Sequence, residues 1–243
     1  MSGPVIDAET LTEFLGKAEP FLPEDLTESL GLRMEQRIQG AGSTLTRLRQ
    51  APEKDLQGLW EMVPATKRLS SEERQKHDDL AWSLLQSAIN LDAAKVFQML
   101  DQLENRPKWA IEWATFWLHA ASPEQFPWWP RWLYNAESQT GALLLVLADP
   151  KVFDVNQSSL QTYSQINGVS QQLAAVIDAT HRMTRVPENH RVLLCFSWVY
   201  AVYMFTMASW RMTSEFTQVL PPFPKVVEGL LGIKHREGVA LEQ

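Results

Sequence analysis

The chain has 243 residues, of which 45% are apolar and 21% charged, a composition that is typical of globular proteins and excludes wholesale disorder. Its net charge of -7 disfavours a surface built to bind nucleic-acid phosphates, and its single cysteine, Cys195, excludes an internal disulfide framework and a cysteine-based zinc cluster. The length is that of one large domain or two small ones.

The first 31 residues are strongly acidic, with seven carboxylates against one lysine, Lys17. Residues 32–50, by contrast, carry four arginines against Glu35. The acidic segment either folds back onto this basic helix or docks on a partner. We therefore predict a separable acidic arm, residues 1–31, and an all-helical domain, residues 32–243. The N-terminal residues lack the basic region and apolar core of a secretory signal, which favours a cytoplasmic protein.

Helical periodicity dominates the first half of this domain. Apolar residues recur at steps of three and four over residues 34–48, which predicts a helix. Ser70 and Glu73 have the spacing of an N-terminal capping box and predict a helix that runs to about residue 89. A second helix is predicted from Asp92 to the residues before Pro107, and a subdomain boundary is expected near residue 106.

The segment from 109 to 132 holds six of the ten tryptophans. Trp109, Trp113 and Trp117 follow one another at a helical spacing of four, after Pro107, a residue that suits the first turn of a helix. Three prolines between residues 123 and 130 then forbid a regular helix. We predict a tryptophan-rich helix followed by a stiff loop.

This loop concentrates rigid aromatic side chains around one arginine: Phe126, Trp128, Trp129, Arg131 and Trp132. Tryptophan and arginine are enriched at binding hot spots, and a stiff loop loses little entropy when it binds. Arginine on an aromatic face is also a stabilising arrangement. The five residues are therefore interpreted either as a partner-binding surface or as a cover over the ends of neighbouring helices.

No motif identifies a reaction, since the chain has no phosphate-binding loop, nucleophile elbow, zinc-protease helix or calcium loop. The five histidines are scattered, so neither a metal site nor a cofactor is predicted. Glu112 and His119 lie on one face of the tryptophan helix, roughly 10 Å apart. They are interpreted either as a satisfied histidine and a neighbouring acid, or as part of an aromatic ligand pocket with Trp113, Trp117 and Tyr134.

The second half of the chain predicts further helices. Gly141 precedes a short apolar helix that ends before Pro150, and helical periodicity over residues 156–177 is interrupted at Gly168. Residues 192–210 are uncharged between Arg191 and Arg211 and approach the length of a membrane span. Polar and aromatic residues in the middle of this run favour a central core helix instead.

These patterns predict an all-α protein, a compact array of about eight to ten helices around a central apolar helix. The leading functional hypothesis is a non-catalytic protein-interaction or regulatory module that binds a protein partner through residues 126–132. One alternative is a small-molecule or enzymatic site near Glu112 and His119. The other is membrane association through residues 192–210.

Overall fold

The computed structural model describes residues 5–51, 54–153, 157–211 and 220–233, and these residues form helices and no strands, which confirms the all-α class. The nine helices of this described part are α1 (Ala8–Ala18), α2 (Glu24–Gln50), α3 (Ser71–Ile89), α4 (Ala93–Asp101), α5 (Ala110–Ala121), α6 (Ala142–Leu145), α7 (Ser159–Ala179), α8 (Glu188–Arg211) and α9 (Phe223–Leu231). Single 3₁₀ turns lie at Glu19–Phe21, Pro64–Thr66 and Pro150–Val152.

Local side-chain chemistry sets several helix starts. The predicted capping box is present at α3, where the Ser70 side chain accepts from the Glu73 N–H and the Glu73 carboxylate accepts from the Ser70 N–H. Ser158 and Gln161 form the same reciprocal pair at the start of α7. Because each pair satisfies two backbone donors that a helix end leaves open, these starts are fixed by sequence.

Helix α8 lies at the centre of the array, as predicted. It packs against α1, α2, α6, α7 and α9. Residues 193–199 of α8 are all buried, with Leu194, Cys195, Phe196 and Val199 inaccessible to solvent. The side chains from Tyr203 to Ala208 are half-buried, and Ser209 is exposed. The apolarity of residues 193–199 therefore reflects burial by neighbouring helices.

The same helix is the one membrane-span candidate within the described residues, by length and apolar composition. Half of its most apolar window, within residues 188–209, is buried inside the protein. The core helix of a soluble protein passes the same test of length and composition.

Residues 5–31, the described part of the predicted acidic arm, pack against the rest of the fold. Leu11, Leu15 and Ala18 of α1 are buried, and α1 packs directly on α8. Helix α2 begins at Glu24 and continues without a break across the predicted boundary at residue 31. The acidic residues do not fold onto the basic half of α2. Four of them pair instead with the turn before α8: Glu19 with Arg182, and Glu24, Asp25 and Glu28 with Arg185.

Three smaller predictions also need correction. No subdomain boundary follows residue 106, because α5 packs on α2, α3 and α4. The helix after Gly141 is a single turn, Ala142–Leu145. Gly141 itself has φ of 139°, and an added Cβ there would lie 2.4 Å from the Leu133 carbonyl oxygen. Helix α7 runs through Gly168 without interruption, since a mid-helix glycine costs only about 1 kcal/mol.

Candidate ligand-binding cleft

Three polar side chains on one face of α5 hold the backbone of the aromatic loop. Glu112 Oε2 accepts a hydrogen bond from the Arg131 N–H (3.3 Å), and Thr115 Oγ1 accepts one from the Trp129 N–H (3.1 Å). His119 Nδ1 donates to the Phe126 carbonyl oxygen (2.8 Å). Helical spacing places these side chains in one row, so the loop runs antiparallel to α5 and is held at three points.

The loop turns its two central tryptophans inward. Trp128 and Trp129 are buried, and the Trp129 indole N–H donates to the Tyr134 carbonyl oxygen (2.7 Å). Tyr163 of α7 donates from its hydroxyl to the Pro127 carbonyl oxygen (2.7 Å), which ties the loop to a second helix. Of the two interpretations of these tryptophans, the structure therefore shows the one in which they cover neighbouring helices.

The remaining residues of the predicted binding surface are more accessible. Phe126 and Trp132 are half-buried, and the Trp132 indole donates to the Leu230 carbonyl oxygen (2.8 Å). Arg131 is exposed and lies 3.8 Å from Glu137. The expected stacking of Arg131 on the loop's aromatic rings is not found in the described residues. Arg37 of α2 takes that place.

Arg37 is a buried cation that joins three parts of the molecule. Its guanidinium carbon lies 4.6 Å from the Phe116 ring centroid and 5.0 Å from that of Trp128, and it donates to the carbonyl oxygens of Met62 and Leu231 (both 2.8 Å). Burial lowers its pKa to about 10, while the carboxylate of Glu112 acts in the opposite direction. It remains charged at neutral pH and compensates the buried acid.

The five residues predicted to share a pocket do not do so. Both carboxylate oxygens of Glu112 accept hydrogen bonds from backbone N–H groups, Oε2 from Arg131 and Oε1 from Ala65 (3.1 Å). Burial raises the pKa of this carboxyl group. Trp113 and Trp117 are fully buried in the core, and Tyr134 lies on another face of the loop. His119 alone lines a cleft of useful size. Glu112 and His119 both hold the backbone of the aromatic loop.

The cleft lies between α7, the start of α8 and the loop that follows α5, and it has a volume of about 230 Å³. Its lining is His119, Pro123, Glu124, Pro127, Trp128, Leu133, Asn167, Ser170, Gln171, Ala174, Glu188, Asn189, Val192, Leu193 and Phe196. The walls are mainly apolar, with polar groups contributed by α7 and the first turn of α8. This is the usual make-up of a small-molecule site.

Two buried ring nitrogens in this lining have no hydrogen-bond partner among the described residues, His119 Nε2 and Trp128 Nε1. Because His119 Nδ1–H donates to a carbonyl oxygen, a neutral His119 leaves a lone pair on Nε2. Burial lowers the pKa of His119 to about 4, so this acceptor is present at neutral pH. Both nitrogens have less than 1 Å² of solvent-accessible surface, so they are covered by the walls of the cleft.

A second buried histidine lies next to His119. The rings of His119 and His190 are 6.2 Å apart, and His190 Nε2 is 2.7 Å from a carboxylate oxygen of Glu35. Burial lowers the pKa of His190, and the Glu35 carboxylate works against that shift. The two imidazole rings thus lie side by side between the cleft and Glu35 of α2.

A larger hollow of about 520 Å³ lies between α2, residues 58–67 and the end of α9. Its arginines are already engaged: Arg33 is paired with Glu228 (2.5 Å), and Arg37 binds two carbonyl oxygens. Both arginines that line this hollow therefore already have partners.

The cleft's α7 wall was not predicted from sequence. Asn167, Ser170, Gln171 and Ala174 follow one another at steps of three, one and three, which is a small, polar stripe on one helix face. That stripe was the available signal, because a helix face packed on the core would carry larger apolar side chains. No periodicity could show that α8 and the aromatic loop would meet it.

The described residues contain no group of three or more His, Cys, Asp or Glu side chains placed to hold a metal ion. No protein-family model, curated protein or solved structure matches this chain.

Proposed function

We propose that this chain is a small-molecule-binding protein whose site is the cleft between α7 and α8. The observation that carries the proposal is the make-up of the cleft, about 230 Å³ of space between mainly apolar walls, with the polar side chains of Asn167, Gln171 and Asn189 in its lining.

The rigidity of one wall supports the proposal. The loop that carries Trp128 is held by His119, Thr115 and Glu112 of α5 and by Tyr163 of α7. A preformed site loses little conformational entropy on binding. A cytoplasmic location is part of the proposal, and the buried free thiol of Cys195 is consistent with it.

Fragment screening by ligand-observed NMR tests the proposal, with occlusion of the cleft as the specific control. Ala174 lines the cleft, whereas Ala175, the next residue of α7, is exposed. Ala174→Phe should fill the cavity and abolish binding of the fragments found with the wild type. Ala175→Phe adds the same ring to the outer face and should leave binding unchanged.

A thermal melt of each variant checks that the fold is retained, and Val192→Phe repeats the occlusion from the α8 wall. Fragments that bind the wild type, Ala174→Phe and Ala175→Phe equally would place the binding site outside the cleft. A screen that finds no fragment bound to the wild type would contradict the proposed function.

A further inference from the structure

Two buried histidines join the elements around the cleft. His119 of α5 lines the cleft, and its Nδ1–H donates to the Phe126 carbonyl oxygen of the aromatic loop (2.8 Å). His190 lies in the first turn of α8, next to the cleft residue Asn189, and its Nε2 is 2.7 Å from the Glu35 carboxylate of α2. The centroids of the two rings are 6.2 Å apart. One pair of rings therefore connects α2, α5, the loop and α8.

Both rings are neutral in this closed arrangement. Because an ionised carboxylate only accepts hydrogen bonds, His190 Nε2 carries the hydrogen and Nδ1 carries a lone pair. His119 has its lone pair on Nε2. These two nitrogens are buried and have no hydrogen-bond partner among the described residues. A proton on either nitrogen would be a buried charge on a donor that has no acceptor, which is costly.

The neighbouring charges compensate this cost only in part. Glu35 favours a charge on His190, and Glu124 favours one on His119. Arg37 opposes a charge on His119, and so does a charge on His190. Burial outweighs the favourable contributions: it lowers the pKa of His119 to about 4 and also lowers the pKa of His190.

The other helices that pack against α8 were searched for charges that would change this balance. Helix α7 reaches the start of α8 through Asp178, which is paired with Arg191, and α6 carries no charged residue. Helices α1 and α9 contribute ion pairs of Glu13 with Lys17 and of Glu228 with Arg33. None of these ion pairs is among the charges that shift the pKa of either ring.

The segments that cover the rings lie at the edge of the fold. Residues 123–127 and 187–189 are exposed or half-buried, and both segments contribute to the lining of the cleft. Segments of this kind open at a lower free energy than the core. Solvated histidines have a pKa of about 6.5, so an opened form binds more protons than the closed form between pH 6.5 and 4. A fall in pH through this window therefore favours opening.

We propose that His119 and His190 form an acid-sensitive latch on the cleft: neutral rings keep the aromatic loop and the first turn of α8 closed, and mild acid favours a locally opened form in which this wall of the cleft is lost. The consequence for a ligand rests on the proposed function, whereas the opening itself needs no ligand. Protons bind the opened form and a cleft ligand binds the closed form, so each weakens the other.

Hydrogen exchange followed by mass spectrometry at pH 7.5 and pH 5 tests the latch. Protection is expressed relative to the intrinsic exchange rate at each pH. Protection of residues 122–131 and 187–193 should fall more than about 30-fold in the wild type, because His119 alone contributes about 30-fold over this interval. Helix α4, which neither carries a histidine nor lines the cleft, should change far less.

Conservative substitutions assign the loss to the two rings. His190→Gln keeps a donor for Glu35 and should retain only the contribution of His119, about 30-fold. His119→Asn with His190→Gln should show no loss between the two pH values. His181→Asn is the matched control, because His181 is exposed and its left-handed φ of 51° suits asparagine. It should behave as the wild type. The ratio between the two pH values is taken within each variant, so a general loss of stability cancels.

A bound fragment connects the latch to the cleft. A fragment that is displaced by Ala174→Phe, added at about 100 times its dissociation constant, should restore protection of both segments at pH 5 by about 100-fold. Protection that stays low while the fragment is bound would show that the opening does not involve the cleft and would overturn the inference.

Three further results would overturn the latch. They are unchanged protection of the wild type at pH 5, an undiminished loss in the double histidine variant, and an equal loss in α4, which would mean global unfolding. Each leaves the proposed function standing if fragments bind. A latch observed in a protein that binds no fragment would instead contradict the proposed function alone.

Discussion

At the scale of single residues, His119 shows why a buried polar side chain has to be interpreted from its partners. The sequence placed it on the same helix face as Glu112, which is correct, and left open whether it was satisfied or belonged to a pocket. In the structure His119 is both partly satisfied and part of the cleft. Its Nδ1–H donates to the Phe126 carbonyl oxygen, its Nε2 has no hydrogen-bond partner among the described residues, and the residue lines the cleft. Sequence spacing alone cannot assign the two ring nitrogens separately.

The lowered pKa of His119 predicts a loss of stability in mild acid. Since the folded protein keeps His119 neutral down to about pH 4, the unfolded chain binds more protons between pH 6.5 and 4, and stability falls as the pH falls through that window. His119→Asn keeps a donor for the Phe126 carbonyl oxygen but does not titrate. Between pH 7.5 and 5 the wild type should lose about 2 kcal/mol more than this variant in urea unfolding.

His190, Arg37 and Glu124 also act on His119, and they are present in both proteins, so their own titration cancels in the comparison. Equal losses of unfolding free energy in the wild type and in His119→Asn would show that His119 titrates normally.

A second residue-scale prediction concerns the central attachment of the aromatic loop. Thr115→Val removes the acceptor of the buried Trp129 N–H and should lower the free energy of unfolding by about 1–3 kcal/mol. Thr46→Val is the matched control: Thr46 is exposed and, like Thr115, donates to the carbonyl oxygen four residues earlier. It should change stability by less than about 0.5 kcal/mol. Equal effects in chemical denaturation would mean that the loop attachment contributes nothing of its own.

At the scale of helices, periodicity predicted where apolar faces lie better than where helices end. The positions Met34, Ile38, Ala41, Leu45 and Leu48, expected to form a seam, are all buried along α2. The same pattern gave no sign that α2 starts ten residues earlier, at Glu24, because that segment was interpreted through its charge. The helix expected after Gly141 ends after one turn, where Val146 to Ala148 pair with Val5 to Asp7, a tertiary contact that no local pattern contains.

Helix α8 permits a direct test of the central core assignment. Val199→Asp places an unpaired carboxylate at a fully buried position and should destabilise the protein by about 3–5 kcal/mol or unfold it. Ser209→Asp introduces the same group at an exposed position of the same helix and should be nearly neutral. Circular dichroism melts compare the two. A Val199→Asp protein that melts like the wild type would contradict the burial of α8.

At the scale of the whole molecule, the acidic N-terminal residues belong to the core. Deleting residues 1–21 removes the buried side chains of Leu11, Leu15 and Ala18, and each buried leucine contributes about 1.5–3 kcal/mol. That sum is a large part of the total stability of a domain. The truncated protein should lose its cooperative melt. A truncated protein that keeps the wild-type helical spectrum and transition would restore the separable arm that the charge pattern suggested.

The fold class and the identity of the core helices could be predicted because they follow from periodicity and composition. The cleft could not, since it is formed by α7, α8 and a loop that lie far apart in the sequence. Of the five predicted pocket residues, only His119 lines the cleft. Trp128, from the predicted binding loop, lines it as well. The two central tryptophans of that loop, Trp128 and Trp129, are buried.

The most direct test of the cleft is the indole N–H resonance of Trp128, assigned with Trp128→Phe and followed while a fragment that binds the wild type and Ala175→Phe is added. We predict that this resonance shifts saturably with the dissociation constant measured for the fragment, because Trp128 lines the cleft and a bound fragment changes the surroundings of its ring. The Trp129 indole N–H, already bound to the Tyr134 carbonyl oxygen at 2.7 Å, should move far less. A Trp128 resonance that stays unchanged while the fragment saturates the protein would contradict the assignment of the cleft as the binding site.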